Sequence, residues 1–183
     1  MMDYIVLDIE SPNSRGNSIC AIGLLTIRNG EIADRRYSLI NPEDRFDRNN
    51  SVITGITESM VLNSPTLPVY WEQIKDIVTR VPIIGHNIRY DLNVISKALN
   101  RYEIPVPEFR YICTLRLSQK LMREPINLAH LQKKSGMSIN SIMRWRMQKQ
   151  RINYSVTWLK RMAWITFSQR CSNMSIGWGK TLI

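Results

Sequence analysis

Tyr4-Ile5-Val6-Leu7-Asp8-Ile9-Glu10 is an apolar run closed by Ser11-Pro12. It is too short for a helix and reads as a buried strand. Two carboxylates lie inside it. Residues i and i+2 of a strand point to one face of the sheet, so Asp8 and Glu10 stand side by side on a surface that is otherwise apolar. Like charges held that close repel unless a cation neutralises them. Paired oxygen donors of this kind suit a hard divalent ion such as Mg²⁺ or Mn²⁺. A strand's solvated end displays the same pair of acids, and this stretch alone leaves both readings open.

Working outward, Asn13 to Ser18 is a polar turn, Ile19 to Ile27 a second apolar run and Glu31 to Ile40 a third. Arg28-Asn29-Gly30 lies between the last two. Asn-Gly tolerates φ > 0 at both positions and is a strong hairpin signal. The first three strands are therefore expected to form an antiparallel meander, ended by Asn41-Pro42. Glu43 to Ser51 reads as a charged loop. Thr57-Glu58-Ser59-Met60 starts like a short capped helix. Ser64-Pro65-Thr66 introduces a longer one, in which Tyr70, Ile74, Ile77 and Val78 recur on one face.

Val81 to Gly85 reads as a short buried strand with its proline at the start. A helix from about Arg89 to Asn100 turns Leu92, Ile95 and Leu99 inward. Ile104 to Phe109 is extended and leads to helices at about Thr114 to Met122 and Asn127 to Lys134, the last closed by Gly136. Three antiparallel strands followed by alternating helices and strands define an α/β protein with a mixed sheet flanked by helices.

A chain of 183 residues with 44% hydrophobic and 22% charged residues is expected to be soluble, with one domain's worth of core. No apolar run approaches a membrane span and no secretory signal is recognisable, so no membrane partner is expected. Cys20, Cys113 and Cys171 form neither a disulfide framework nor a zinc spacing and read as packing residues of a reduced, cytoplasmic protein. The net charge of +10 is unevenly spread. Residues 1–140 hold 17 Lys and Arg against 15 Asp and Glu, whereas residues 141–183 hold 8 basic residues, no acid and four of the five tryptophans. The chain accordingly divides into a domain over 1–140 and an atypical basic tail over 141–183.

A second acidic motif is Gly85-His86-Asn87-Ile88-Arg89-Tyr90-Asp91, which leaves a buried strand and opens a helix. Asp91 falls in the first turn, where a carboxylate interacts well with the helix dipole. Each residue alone has an ordinary structural reading. Together, Asp8-x-Glu10 and the distant His86-Asn87-x-x-x-Asp91 resemble the DEDD exonuclease superfamily, and within it the DnaQ-like (DEDDh) group typified by the epsilon subunit of bacterial DNA polymerase III. Val52-Ile53-Thr54-Gly55-Ile56-Thr57 resembles that group's histidine-Gly-Ile-Thr segment, with Thr54 in place of the histidine. Phe109 to Leu115 resembles the stretch leading into its next helix.

The resemblance covers about residues 3–140. It implies a ribonuclease H-like fold, two divalent metal ions (Mg²⁺ or Mn²⁺) and 3′–5′ hydrolysis of phosphodiester bonds at DNA or RNA 3′ ends. Asp8, Glu10 and Asp91 are implied as catalytic metal ligands. Ser11, His86 and Asn87 are implied contacts to the substrate. Two ions about 4 Å apart clamp the attacking and leaving oxygens in such a mechanism. Proofreading would call for a separate polymerase subunit as partner.

The group's third motif, His-x-Ala-x-x-Asp, is absent. The chain has two histidines, His86 and His130, and its last acid is Glu124. No general base is therefore identified, and turnover is expected to be impaired. The genetic code offers a cause. If the Ser141 codon ends in C, reading Ile142 to Gln150 one base earlier permits His-His-Ala-Leu-Glu-Asp-Ala-Lys-Ala, which contains the motif at its expected place. Residues from about 142 onward then represent a frameshifted segment.

The competing reading is a genuine basic tail, in which Arg144, Arg146, Lys149, Arg151, Lys160 and Arg161 bind phosphates and Trp145, Tyr154, Trp158 and Trp164 stack on bases. Three functional classes thus stand side by side: a metal-dependent exonuclease, a non-catalytic nucleic-acid-binding protein, and a damaged remnant of such an enzyme.

Overall fold

The computed structural model describes residues 3–116 and 119. Their elements are β1 (Tyr4–Glu10), β2 (Ala21–Arg28), β3 (Glu31–Leu39), α1 (Arg48–Thr54), α2 (Glu58–Val61), α3 (Leu67–Arg80), β4 (Ile83–Gly85), α4 (Ile88–Arg101) and β5 (Tyr111–Cys113). They build one five-stranded sheet in the order β3-β2-β1-β4-β5. The β1–β2 and β2–β3 pairs are antiparallel, and β1–β4 and β4–β5 are parallel. The expected mixed sheet, with an antiparallel meander first and parallel additions after it, is the architecture observed.

The meander follows from local chemistry. Asn29 and Gly30 adopt φ of 51° and 85°, the left-handed pair that a two-residue hairpin turn requires. β1 is buried over all seven residues because it lies in the middle of the sheet. β3 forms one edge and is mostly exposed, with Glu31, Asp34, Arg35 and Arg36 along it. Charges at an exposed edge discourage pairing with another chain.

Strand alternation divides the interior into two layers. Ile5, Leu7 and Ile9 pack with Ile22 and Leu24 of β2 against the apolar faces of α3 and α4. Those faces comprise Tyr70, Trp71, Ile74 and Val78 on α3 and Ile88, Leu92, Ile95 and Leu99 on α4. The expected helix faces are thus observed, although Ile77 is only partly buried. Tyr4 and Val6 belong to the opposite layer, with Leu25, Ile27 and Ile84. By the same alternation, Asp8 and Glu10 follow Tyr4 and Val6 on that second face.

Two elements differ from expectation. The stretch Glu43 to Ser51 is not all loop, because α1 begins at Arg48. Gly55 closes this helix in the left-handed region at φ 73° and donates its N–H to the Ser51 carbonyl at 2.9 Å. Thr54 is its one buried residue, so α1 carries no apolar periodicity by which a sequence reveals a helix. Tyr111–Cys113 is a strand rather than simply a lead into a helix. Three residues are too few to display a period, and the pairing of Ile83, Ile84 and Gly85 with Tyr111, Ile112 and Cys113 creates it.

Residues 114–116 are helical, as expected. The rest of that helix, the expected helix at 127–134, His130, Gly136, Cys171 and the tail over 141–183 lie outside the described residues.

Candidate active site

The site is assembled where β4 gives way to α4. Gly85 has no room for a side chain: a Cβ there would lie 2.6 Å from Ile88 Cδ1 and 3.0 Å from Ile88 Cβ. Ile88 is fully buried, so the chain must leave the strand and enter the helix without a spacer. Asn87 makes the turn in the left-handed region, at φ 57° and ψ 33°, and its carbonyl accepts the Tyr90 amide at 2.9 Å. Asn tolerates this conformation better than most residues. Asp91 then falls in the first turn of α4.

Asp91 is 2% exposed, and its Oδ1 accepts the backbone amide of Ile9 at 3.2 Å. The reason is visible in the ladder. The Ile5 amide donates to the Pro82 carbonyl at 3.0 Å, on the β4 side of β1. Alternate amides of a strand emerge on the same edge, so the Ile9 amide points the same way but beyond Gly85, where β4 has ended. The carboxylate takes the place of the next strand carbonyl. α4 packs on the Ile5–Leu7–Ile9 face, whereas Asp8 and Glu10 occupy the other; Asp91 reaches them past the end of β4.

Asp8 and Glu10 are 4% and 6% exposed. Ser11 follows them, buried, with an Oγ that has no hydrogen-bond partner among the described residues. Its carbonyl accepts the Asn50 side-chain amide at 3.1 Å, which ties α1 to the end of β1. Cys20 donates its amide and its thiol to the Glu10 carbonyl, at 2.8 and 3.3 Å. Burial pushes the Cys20 thiol far above its ordinary pKa, and the Glu10 charge adds to this, so Cys20 is an inert packing residue. Cys113 is likewise free and buried.

His86 and Asn87 do not point back to β1 through any hydrogen bond recorded for them. His86 is half-buried and meets Thr114 instead, with Nδ1 3.3 Å from Oγ1. Asn87 is exposed. Thr54, at the position of the resembled histidine, is buried and uses its Oγ1 to accept the Ile56 amide at 3.1 Å.

Two structural groups escaped the sequence reading. Thr114 was visible only as part of a resembled stretch. Asp44 accepts Asn13 Nδ2 at 3.0 Å and Ser18 Oγ at 2.8 Å, so it clamps the loop after β1 to the loop after β3. No short motif advertises that clamp, because its partners lie far apart in the chain.

The three carboxylates offer only hard oxygen donors, which is the chemistry a divalent ion such as Mg²⁺ requires. Among the described residues, however, no three His, Cys, Asp or Glu side chains form a group that could hold a metal ion. This corrects the expectation that Asp8, Glu10 and Asp91 form a ready cradle. Asp91 Oδ1 is engaged by the Ile9 amide, which competes with use of that oxygen as a ligand.

A sheet with three antiparallel strands followed by parallel additions, carrying buried acids where β1 meets α4, defines the ribonuclease H-like exonuclease class. The family model described as Exonuclease (RNase_T) matches residues 5–141, and the chain belongs to this exonuclease family. It is 26% identical over 119 residues to the 3′-5′ exonuclease DinG of Bacillus subtilis (strain 168), covering 63% of this chain and 13% of that protein. It is 28% identical over 122 residues to DNA polymerase III PolC-type of Thermotoga petrophila, covering 66% of this chain and 9% of that protein. The chain thus spans a small fraction of these curated relatives.

Exonuclease X in complex with 5′ overhanging duplex DNA has a similar fold, with a TM-score of 0.70, 18% identity and coverage of 96% of this chain and 94% of that one. The nuclease domain of 3′hExo, a DEDDh family member bound to rAMP, superimposes with a TM-score of 0.72 at 16% identity, covering 98% and 97% of the two chains. Among the described residues, no helix is long and apolar enough to cross a membrane.

Proposed function

We propose that the protein is a 3′–5′ exonuclease by lineage, acting on phosphodiester bonds at nucleic-acid 3′ ends with divalent metal ions as cofactors. The observation that carries this reading is the Asp91–Ile9 hydrogen bond, which brings the acid of α4 to the strand bearing Asp8 and Glu10. Asp8, Glu10 and Asp91 would hold the ions. When bound, the ions supply positive charge that offsets the clustered carboxylates and the charge developing on the phosphate.

The chain's own groups then have distinct tasks. The three acids gather negative charge at the end of the sheet, Ser11 offers a buried hydroxyl to the terminal nucleotide, and His86 and Asn87 contact it from the start of α4. A DNA polymerase partner is a further proposal, supported by the likeness to PolC-type polymerases.

Turnover by this chain is proposed to be slow. Its sequence lacks the third motif, and a missing general base alone costs roughly 10²–10⁴-fold in rate. The same absence favours a second reading, in which the protein binds nucleic acid without cleaving it.

Incubation of a 5′-labelled single strand with Mg²⁺ or Mn²⁺ separates the two. The exonuclease reading expects slow shortening from the 3′ end, abolished by EDTA and by Asp8→Ala. Binding with no shortening establishes the second reading. Neither binding nor shortening identifies an inactive remnant.

A further inference from the structure

The hydroxyl of Thr114 fixes which nitrogen of His86 carries a proton. Thr114 is 2% exposed, and its Oγ1 lies 3.0 Å from the Gly85 carbonyl oxygen and 3.3 Å from His86 Nδ1. A carbonyl oxygen only accepts, and a hydroxyl has one proton to give. The Thr114 proton is committed to Gly85, so the same oxygen offers His86 a lone pair. Nδ1 must be the donor. A neutral imidazole with its proton on Nδ1 has Nε2 as its acceptor.

The sheet itself sets this arrangement. Gly85 ends β4, Thr114 directly follows β5, and the pairing of Gly85 with Cys113 places the hydroxyl beside the turn that carries His86. The opposite tautomer would set the Nδ1 lone pair against the Thr114 lone pairs, or else draw the Thr114 proton away from Gly85.

We infer that Thr114 is a positioning residue for His86, holding it as the Nδ1–H tautomer so that it meets a nucleotide through the Nε2 lone pair. The consequence is chemical selection. A neutral Nε2 accepts from a donor such as a sugar hydroxyl, and it gains nothing from a phosphate oxygen, which has no proton to give. His86 would thus read the 3′-hydroxyl of the terminal nucleotide rather than its phosphate. This second half rests on the proposed substrate-binding role of His86; the tautomer does not.

Long-range ¹H–¹⁵N spectra of the ¹⁵N-labelled protein, at a pH where histidine is neutral, test the tautomer directly. The chain has two histidines, so His130→Gln assigns the His86 signals. The expected result is a proton on Nδ1 in the unaltered chain and in Thr114→Ser, and a shift toward the Nε2–H form in Thr114→Val. A dominant Nε2–H form in the unaltered chain overturns the proposal, and this holds even if Thr114→Val fails to fold. An unchanged tautomer in a folded Thr114→Val protein also overturns it.

The selection is tested by titrating thymidine 5′-monophosphate and its 3′-deoxy analogue with Mg²⁺ present, following the His86 ring signals. Loss of one neutral hydrogen bond predicts roughly 2- to 10-fold weaker binding of the 3′-deoxy analogue, and no such difference in Thr114→Val. Equal affinities in the unaltered chain overturn the hydroxyl assignment. Failure of both nucleotides to bind overturns the substrate role of His86 while the tautomer result stands.

Discussion

Asp91 Oδ1 accepts the amide of Ile9 at 3.2 Å across 82 residues of sequence. Ile9 separates Asp8 from Glu10, so one hydrogen bond to its backbone brings the acid of α4 to the strand that bears the other two. The bond also completes the β1 ladder beyond the last residue of β4. Asp91 therefore has a structural task as well as a chemical one, and the two are separable by substitution.

Asp91→Asn keeps an oxygen for the Ile9 amide and removes the charge. Its stability should stay within about 1 kcal/mol of the unaltered protein, while metal-dependent nuclease activity is lost. Asp91→Ala leaves a buried amide unsatisfied and should cost about 1–3 kcal/mol. Urea unfolding of the two variants, read beside an oligonucleotide assay, distinguishes the roles. Equal destabilisation by Asn and Ala would refute the ladder-completing role.

Gly85→Ala drives a methyl group to 2.6 Å from Ile88 Cδ1. Ile88 is fully buried and has nowhere to retreat. Overpacking of this kind should cost about 1–3 kcal/mol, and it displaces the turn carrying His86 and Asp91. A lowered midpoint in thermal unfolding, together with altered His86 ring signals, is the expected outcome.

Asp44 gives a pH dependence with a definite sign. Burial pushes its pKa up, but the hydrogen bonds from Asn13 and Ser18 outweigh this, with help from the Arg45 amide and the Arg15 charge, and hold it below the ordinary value. A folded-state pKa below the unfolded one means the unfolded chain binds more protons, so stability falls on acidification. The contribution is full above the unfolded value of about 3.9 and disappears as pH falls through the folded value. Asp44→Asn should therefore be less stable than the unaltered protein near neutrality, and the gap should narrow in acid. Denaturant titrations across that range would reveal a constant gap if the clamp were unimportant.

Restoring the alternate reading frame from Ser141 places a histidine directly after it and an aspartate five positions later. The two groups together should raise the 3′–5′ exonuclease rate by at least about 10²-fold, and Asp8→Ala should abolish the gain. Sequencing of the gene gives an independent check, since a Ser141 codon that does not end in C excludes the frameshift.

Much of the architecture was legible because it is local. The Tyr4–Glu10 run, the Asn29-Gly30 turn and the apolar faces of α3 and α4 each declare themselves within a few residues, through hydrophobic period or backbone preference. The side-by-side placement of Asp8 and Glu10 needed only the two-residue repeat of a strand. α1 and β5 were hidden for the converse reason. One buries a single side chain, and the other is a three-residue strand made by its partner.

The sequence by itself determined the strand that carries the first two acids, the helix that carries the third and the family to which the chain belongs. The tertiary structure decided that Asp91 approaches Ile9 past the end of β4, that Asp44 ties two distant loops together, and that Thr114 dictates the proton position on His86. Each of these depends on parallel or loop–loop contacts between segments remote in the chain. Residue type and spacing specify which groups are available for such contacts. Only the register of the paired strands, fixed by burial of the whole sheet, specifies which of those groups meet.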